Sequence, residues 1–181
     1  MPSVNALRVK LFADGADLSV IAAMAANSLI KGFTTNPTLM RKAGMGDYVA
    51  FSRGVLRLVP DRPISFEVFS DNFAEMEAQA LEIASWGSNV FVKIPVTNTK
   101  GESAAPLVAR LVKAGVQLNV TAIMTESQVA EIAKVLSPTV ASFVSVFAGR
   151  IADTGVRRPG AGHRALAGAA AQSAARRGHL G

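Results

Sequence analysis

A lysine and a glutamate lie inside two apolar stretches of the chain, where charged side chains are costly to bury. Lys93 stands in Asn89-Val-Phe-Val-Lys-Ile-Pro-Val96, and Glu67 stands in Ile64-Ser-Phe-Glu-Val-Phe69. Removing a lysine from water favours its neutral amine, the form that attacks a carbonyl to make a Schiff base. Glu67 must face a polar opening or a cation, and Lys93 is its natural partner. The alternative for Lys93 is an edge-strand lysine that reaches solvent.

Three further polar residues could bind or activate a substrate. Asp14 follows Leu11-Phe-Ala, where it could act as a general acid–base or cap the helix that comes next. Asn119 and Thr121 are two positions apart on one predicted strand, so their side chains lie on the same face. Together they can position a water or a substrate hydroxyl, or they can form a cross-strand hydrogen bond.

Two short motifs could bind a ligand or could be ordinary structure. Thr34-Thr-Asn-Pro37 ends a predicted strand, and its proline suits the first position of a helix. Ser145 and Arg150 flank Val-Phe-Ala-Gly. An arginine beside Gly149, just after a strand, is suited to bind a phosphate, although such arginines also form surface ion pairs.

Short β-branched or aromatic runs alternate with segments of helical periodicity. The predicted strands lie near residues 9–14, 32–36, 64–69, 89–96, 117–123 and 142–148. The predicted helices cover residues 16–29, 71–86, 103–114 and 125–136. In the helix of 71–86, the apolar stripe consists of Phe73, Met76, Ala80 and Ile83, and we expect Ser70 or Asp71 to cap its start.

The alternation of strands and helices predicts an α/β fold with a parallel sheet, either a closed barrel or an open doubly wound sheet. No G-x-G-x-x-G follows the first strand, so nothing favours a dinucleotide fold. In a barrel, polar residues at the carboxyl ends of strands carry the chemistry. Five predicted strands end in such residues, which favours the barrel: Asp14, Asn36, Glu67, Lys93, and Asn119 with Thr121.

Composition and charge narrow the class of protein. The 181 residues are 50% hydrophobic and contain no cysteine, which fits one globular domain without disulfides or thiolate metal sites. The net charge is +6, but residues 156–181 hold five arginines, both histidines and no acid. Residues 1–155 are nearly neutral, so we expect no nucleic-acid partner. They contain no histidine, so we expect no histidine catalysis there. With no apolar stretch of membrane-spanning length and no secretory pattern in residues 1–7, we expect a cytoplasmic protein without a membrane partner.

Six stretches, in order and spacing over about residues 8–155, resemble the transaldolase family, including its fructose-6-phosphate-aldolase-like branch. They are Lys10-Leu-Phe-Ala-Asp14, Gly32-Phe-Thr-Thr-Asn-Pro-Thr38, Ser65-Phe-Glu-Val68, Asn89-Val-Phe-Val-Lys-Ile-Pro95, Leu118-Asn-Val-Thr121 and Ser145-Val-Phe-Ala-Gly-Arg150. The Thr-Thr-Asn-Pro and Val-Lys-Ile-Pro stretches are the most specific. The resemblance implies a TIM (β/α)8-type barrel with class I Schiff-base aldolase chemistry.

The resemblance also implies a role for each candidate residue. Lys93 would form the Schiff base and Asp14 would be the acid–base in carbon–carbon cleavage. The remaining roles are water handling for Glu67 and Thr121, binding of substrate hydroxyls for Asn36 and Asn119, and binding of the sugar phosphate for Ser145 and Arg150. No cofactor and no metal are implied, the partners are sugar phosphates of the pentose phosphate pathway, and a homo-oligomer is one candidate assembly.

The reaction implied is transfer of a dihydroxyacetone unit from a ketose phosphate to an aldose phosphate. The alternatives are an aldolase that releases free dihydroxyacetone and an inactive truncated fragment. The aldolase-like branch usually has glutamine where this chain has Glu67, which favours transfer.

Residues 156–181 depart from the family pattern. Relatives usually continue after Asp153-Thr-Gly155 with a segment like Asp-Pro-Val-Pro and a seventh strand, but here Val156-Arg-Arg-Pro-Gly-Ala161 follows. Arg-Pro-Gly-Ala written as CGA-CCC-GGT-GCC becomes Asp-Pro-Val-Pro when shifted by one base. We therefore interpret residues 1–155 as a (β/α) barrel truncated after its sixth strand, and residues 156–181 as a frameshifted tail. A genuine, divergent tail is the alternative.

Overall fold

The structure is a computed structural model that describes residues 9–35, 40 and 46–155. The candidate residue Asn36, the proline of Thr34-Thr-Asn-Pro37 and the tail of residues 156–181 lie outside the described residues. Within the described ranges, none of the helices is long and apolar enough to cross a membrane.

Within the described residues, six parallel strands alternate with helices and form a half-barrel of the TIM type, which confirms the predicted α/β class. The strands pair in sequence order: β1 Leu11–Asp14, β2 Ile30–Thr34, β3 Ile64–Glu67, β4 Val90–Pro95, β5 Leu118–Ile123 and β6 Ser142–Val146. The register aligns Glu67 of β3 with Lys93 of β4, and Lys93 with Asn119 of β5. The sheet therefore brings three candidate residues to neighbouring positions.

Among the helices whose bounds lie within the described ranges, four confirm predictions and two were not predicted. Helices α1, α3, α4 and α5 lie within their predicted ranges, whereas α2 and α6 were missed. Their bounds are α1 Leu18–Ala25, α2 Tyr48–Leu58, α3 Phe73–Ala84, α4 Ala105–Lys113, α5 Glu126–Val135 and α6 Ala148–Asp153. Strand β2 begins two residues before its predicted start, because a turn at Asn27, whose carbonyl accepts from the Ile30 N–H, already ends the preceding segment.

The predicted cap of α3 is wrong, because Asn72 caps this helix. The Asn72 side chain accepts hydrogen bonds from the N–H groups of Ala74 and Glu75. Asp71 is turned away toward the loop after β4, where its carboxylate accepts from the N–H of Thr99 at 2.8 Å. This bond between Asp71 and Thr99 connects the loop after β3 with the loop after β4, on the side of the sheet where the candidate residues lie.

The outer face of the sheet is apolar and lies under the helices. Val92, Ile94, Leu118 and Val120 are completely buried there. Side chains of this kind contribute about 1.5–3 kcal/mol each when fully buried. Because successive residues of a strand face opposite sides, the alternate positions of the same strands point to the inner face.

Aromatic side chains fill the inner face below the polar residues. The ring of Phe143 on β6 contacts Phe91 on β4 with centroids 4.5 Å apart, and Phe12 on β1 at 5.2 Å. The first and last described strands thus meet through their side chains, so the sheet is strongly curved. Each phenylalanine is followed two positions later by a candidate residue, namely Asp14, Lys93 and Ser145. The aromatic cluster is the floor of the candidate site.

Candidate active site

Lys93 projects from the centre of the sheet and is nearly buried. Strand β4 lies between β3 and β5, so the alternative of an edge-strand lysine is wrong. The Lys93 side chain is 12% exposed, and its Nζ lies 3.2 Å from Oε2 of Glu67. Nζ also donates to the backbone carbonyl of Thr35 at 3.2 Å. The predicted partnership with Glu67 is confirmed.

Glu67 is held in an environment that favours its protonated form. Its side chain is 19% exposed. Burial raises the pKa of the Glu67 carboxyl; the Lys93 ammonium lowers it and the Asp14 carboxylate raises it, and the net effect is a pKa above the usual glutamate range. Glu67 therefore keeps its proton to a higher pH than an exposed glutamate. Because its pKa is raised, the ionised Glu67 carboxylate is a stronger base than an exposed glutamate, so it can accept a proton from a neighbouring amine and return it.

Asp14 lies at the exposed end of β1 and does not cap the following helix. The N-cap of α1 is Asp17, whose side chain accepts from the N–H groups of Ser19 and Val20. Asp14 instead accepts a hydrogen bond from the Thr34 hydroxyl at 2.9 Å. Its carboxylate is also close enough to Glu67 to raise the pKa of that group. The capping alternative for Asp14 is wrong, and its position leaves it available to a ligand.

Asn119 links three strands through side-chain hydrogen bonds. Its Nδ2 donates to the Ser65 hydroxyl at 3.0 Å, and its Oδ1 accepts from the Ser145 hydroxyl at 2.7 Å. Both Asn119 and Ser65 are buried. The cross-strand alternative is therefore correct for Asn119, and these bonds fix the orientation of its amide. An amide fixed in this way can still present its second N–H to a substrate hydroxyl.

Thr121 is buried, and its hydroxyl has no hydrogen-bond partner among the described residues. The pairing of β5 with β6 shifts register between Val120 and Ile123. Ala122 lies in this bulge with a φ of 60°, a conformation that is strained for a residue with a Cβ. A buried hydroxyl without a partner is costly unless something else satisfies it. Thr121 is thus suited to bind a water or a polar ligand atom.

The structure does not bring Arg150 to the other candidates. Arg150 lies on the short helix α6, is exposed, and makes no hydrogen bond or ion pair within the described part of the chain. The alternative of a surface ion pair for Arg150 is thus not observed among the described residues. Ser145, in contrast, points to the interior through its bond to Asn119.

The described residues also form a surface depression whose lining does not include Lys93. It has a volume of about 430 Å³ and is formed by the loops after β3 and β4. Its lining residues are Asp71, Asn72, Phe73, Ala74, Asn98, Lys100 and Glu102. None of the candidate catalytic residues contributes to it, so the candidate site is defined by the converging side chains and not by this depression.

A model of the transaldolase/fructose-6-phosphate aldolase family matches residues 11–177. The chain belongs to this family. The match includes all six described strands and runs into residues 156–181, so the frameshift of that segment stays a hypothesis. Membership of this family supports the interpretation of the cluster of Lys93, Glu67 and Asp14 as a candidate active site.

Curated relatives of this family member are identical to it at about a third of the aligned positions. A probable transaldolase of Dehalococcoides mccartyi is 35% identical over 147 residues, and one of Streptococcus agalactiae is 37% identical over the same length. These matches cover 81% of this chain and 64% of each relative. A probable transaldolase of Thermoanaerobacter is 36% identical over 145 residues, which is 80% of this chain and 62% of the relative. The chain thus spans less than two thirds of the relatives it matches.

Tyr48 is a residue of the site that sequence analysis missed. It begins α2, and its hydroxyl accepts from the N–H of Glu67 at 2.9 Å and donates to the Glu67 carbonyl at 3.0 Å. Tyr48 is the single tyrosine of the chain. Nothing in its spacing points to Glu67, since the contact depends on how α2 packs on the end of β3. Two features could have drawn attention to Tyr48: it is the single tyrosine of the chain, and it directly follows the helix cap Asp47.

Proposed function

We propose that this family member transfers a dihydroxyacetone unit from a ketose phosphate to an aldose phosphate through a Schiff base on Lys93. The observation that carries the proposal is the nearly buried Lys93 amine, 3.2 Å from the Glu67 carboxyl. The relatives named probable transaldolase support the same activity. The proposal includes a role in the pentose phosphate pathway and a location in the cytoplasm.

The first step is formation of the Schiff base. Lys93 gives up a proton, and Glu67 is placed to accept it because burial has made the carboxyl a better proton acceptor than an exposed glutamate. The neutral amine attacks the ketose carbonyl, whose oxygen takes up a proton. The resulting carbinolamine loses that oxygen as water and leaves an iminium ion on Nζ.

The second step breaks the carbon–carbon bond. Asp14, at the end of β1, removes the proton from the C4 hydroxyl of the ketose, and the bond between C3 and C4 breaks. The bonding electrons move to the iminium nitrogen, the aldose leaves as an aldehyde, and an enamine stays on Lys93. An acceptor aldose then takes the enamine carbon at its carbonyl, and Asp14 returns the proton to the new hydroxyl.

Water handling falls to Glu67 and Thr121. The hydroxyl of Thr121 is buried without a partner among the described residues, and Glu67 is the proton acceptor nearest to Nζ. A water between these two groups would attack the iminium ion and release the ketose product. Glu67 would take the proton of that water, and Nζ would leave as the free amine.

Substrate binding falls to residues around this centre. Asn119 is oriented by Ser65 and Ser145 and is suited to a substrate hydroxyl, and Asn36 is proposed for the same role by resemblance. Arg150 is exposed just beyond β6, and with Ser145 it is proposed to bind the sugar phosphate.

Product analysis tests the proposal. The full chain is incubated with fructose 6-phosphate, with and without an aldose phosphate acceptor, and the sugars are separated and measured. We expect a new ketose phosphate only when the acceptor is present. Free dihydroxyacetone in both samples would favour the aldolase alternative, and no product in either sample would favour an inactive fragment. Glu67→Gln should increase the share of free dihydroxyacetone, because it supplies the residue usual in the aldolase-like branch.

A further inference from the structure

The pairing of β2 with β3 stops one hydrogen bond short of Glu67. The N–H of Phe33 donates to the Pro63 carbonyl at 2.8 Å, and the N–H of Thr35 donates to the Ser65 carbonyl at 3.0 Å. In a regular parallel ladder, the next bond joins the N–H of Glu67 to the carbonyl of Thr35. That bond is replaced here.

The Tyr48 hydroxyl takes the position of the missing strand partner. It accepts from the Glu67 N–H at 2.9 Å and donates to the Glu67 carbonyl at 3.0 Å. One hydroxyl therefore satisfies both backbone groups of Glu67 that face β2. Because a buried backbone group without a partner is costly, this contact also stabilises the end of β3.

The released carbonyl of Thr35 binds the lysine instead. It accepts from Nζ of Lys93 at 3.2 Å, on the same nitrogen that pairs with Glu67. Thr35 is fully buried, so its carbonyl is an oriented dipole with little competition from solvent. The Lys93 amine is thus fixed by two acceptors, one a side chain and one a backbone group.

We propose that Tyr48 is a positioning residue for Lys93: its phenol replaces the Thr35 carbonyl in the ladder, which leaves that carbonyl to orient the amine. The proposal rests on the proposed function for its relevance to catalysis, but the geometry concerns Lys93 whether or not sugars are processed. Among the described residues, the Tyr48 hydroxyl bonds to the Glu67 backbone and makes no hydrogen bond to the Lys93 amine.

The surroundings of Tyr48 hold its ring in place. The ring packs edge-on against Phe69 at 4.5 Å, Trp86 at 5.6 Å and Phe66 at 6.1 Å between centroids. Burial raises the pKa of the phenol far above its usual range. The hydroxyl therefore keeps its proton and remains a donor to Glu67 at all pH values of interest.

Removing only the phenol oxygen separates positioning from packing. In Tyr48→Phe the ring contacts remain, but the Glu67 N–H loses its acceptor, and the carbonyl of Thr35 is the partner that a regular parallel ladder would supply. When Thr35 turns to Glu67, Lys93 loses one of the two acceptors that it has among the described residues, and the neutral amine becomes more accessible. Trp86→Phe is the matched control, because it alters the same aromatic cluster without touching Glu67.

The readout is the reactivity of Lys93 with a small aldehyde, which needs no sugar substrate. The folded full chain is treated with formaldehyde and cyanoborohydride over a range of pH, and methylation is measured peptide by peptide, with exposed Lys100 as internal reference. In Tyr48→Phe, we expect labelling of Lys93 to rise several-fold, up to about tenfold, as for loss of a hydrogen bond to a charged group. The pH of half-maximal labelling should fall. Among the described residues, the titratable group in direct contact with Lys93 is Glu67, and Asp14 acts on Lys93 indirectly because its carboxylate is close to Glu67.

Two outcomes would overturn the proposal. One is a Tyr48→Phe profile that matches the unchanged protein, and the other is an equal shift in Tyr48→Phe and Trp86→Phe. Loss of transaldolase activity with an unshifted profile would count against Tyr48 as a positioning residue. A shifted profile in a protein that processes no sugar would support Tyr48 while contradicting the proposed function.

A second measurement covers the case in which Tyr48→Phe does not fold. Since Tyr48 is the single tyrosine, growth with 3-fluorotyrosine places one fluorine at this position. We expect the fluorine resonance to move in Lys93→Met and to stay in place in Lys100→Met. An identical resonance in both variants would show that the phenol and the amine are not coupled.

Discussion

At the scale of single residues, Glu67 determines how the site responds to pH. Its pKa is raised in the folded protein, chiefly by burial. At Glu67, the folded protein therefore binds more protons than the unfolded chain between the ordinary glutamate range and the raised value. Where the folded state binds more protons, the free energy of unfolding falls as pH rises. Glu67 thus contributes most to stability on the acid side of that window and less above it.

The variant Glu67→Gln should remove this dependence. We expect the stability of the variant, relative to the unchanged protein, to improve steadily as pH rises from acid toward neutral. The measurement is the urea midpoint of both proteins at a series of pH values, with Lys100→Met as the control that should follow the unchanged protein. A difference between Glu67→Gln and the unchanged protein that stays constant with pH would contradict the raised pKa.

Asp14 and Asp17 offer a matched pair of carboxylates with different expected effects. Asp14→Ala should reduce turnover by about 10²-fold or more, the usual scale for an acid–base group, while a substrate adduct still forms at Lys93. Asp17→Ala should lower the urea midpoint, because it removes the cap of α1, and should leave turnover unchanged. Steady-state kinetics and urea unfolding of both variants check this. Near-normal turnover in Asp14→Ala would remove Asp14 from the mechanism.

At the scale of elements, the floor of the site depends on a glycine. Strand β2 passes so close to the ring of Phe12 that a Cβ on Gly32 would lie 2.2 Å from it. The Phe12 ring is in turn packed edge-on against Phe143 at 5.2 Å. The absence of a side chain at Gly32 therefore lets β1, β2 and β6 approach each other beneath Asp14 and Ser145.

Gly32→Ala should destabilise the protein by about 1–3 kcal/mol, the usual effect of overpacking a core. Combining it with Phe12→Ala should recover part of that loss, because the smaller side chain makes room for the new methyl group. Urea unfolding of the two single variants and the double variant measures the coupling. If the two effects simply add, the close contact of Phe12 with Gly32 does not limit the strand packing.

The sequence predicts the elements better than it predicts their contacts. The strands are recognisable because apolar, β-branched runs end in polar residues, and Lys93 and Glu67 stand out because charges inside such runs are unusual. Helix α2 was missed because Gly54 and several β-branched or aromatic residues weaken its helical pattern. The structure gives Gly54 a tertiary reason, since a Cβ there would lie 3.1 Å from the Leu18 side chain of α1.

The bond between Tyr48 and Glu67 was not predictable for a similar reason. It joins residues 19 positions apart through the packing of a helix on the end of a strand, and no periodicity describes such a contact. The cap of α3 was predicted wrongly because three neighbouring residues, Ser70, Asp71 and Asn72, could cap the helix. Asp71 bonds to the next loop instead, and Asn72 is the cap.

At the scale of the whole molecule, the described half-barrel leaves apolar side chains of β1 and α1 exposed, among them Leu11, Val20 and Met24. The outer edges of β1 and β6 have no strand partner within the described ranges. Such edges and side chains favour association with other chains. The frameshift hypothesis for residues 156–181 bears on this surface, because two more strand–helix units would cover it.

Restoring the other translational frame after Gly155 should therefore raise the melting temperature and remove association. The measurement compares the two chains by thermal unfolding and light scattering at equal concentration. The 181-residue chain is expected to associate or to unfold without a sharp transition. A monodisperse, cooperatively melting and active 181-residue chain would show that residues 156–181 are a genuine part of the protein.

Covalent trapping shows whether Lys93 is the Schiff-base residue. The full chain is incubated with fructose 6-phosphate, reduced with borohydride and digested, and each lysine-containing peptide is weighed. We predict the mass of a reduced dihydroxyacetone unit on Lys93, with no such adduct in Lys93→Ala and an unchanged adduct in Lys100→Ala. An adduct that forms equally well in Lys93→Ala, or that appears only on exposed lysines, would contradict the assignment of Lys93 as the Schiff-base residue.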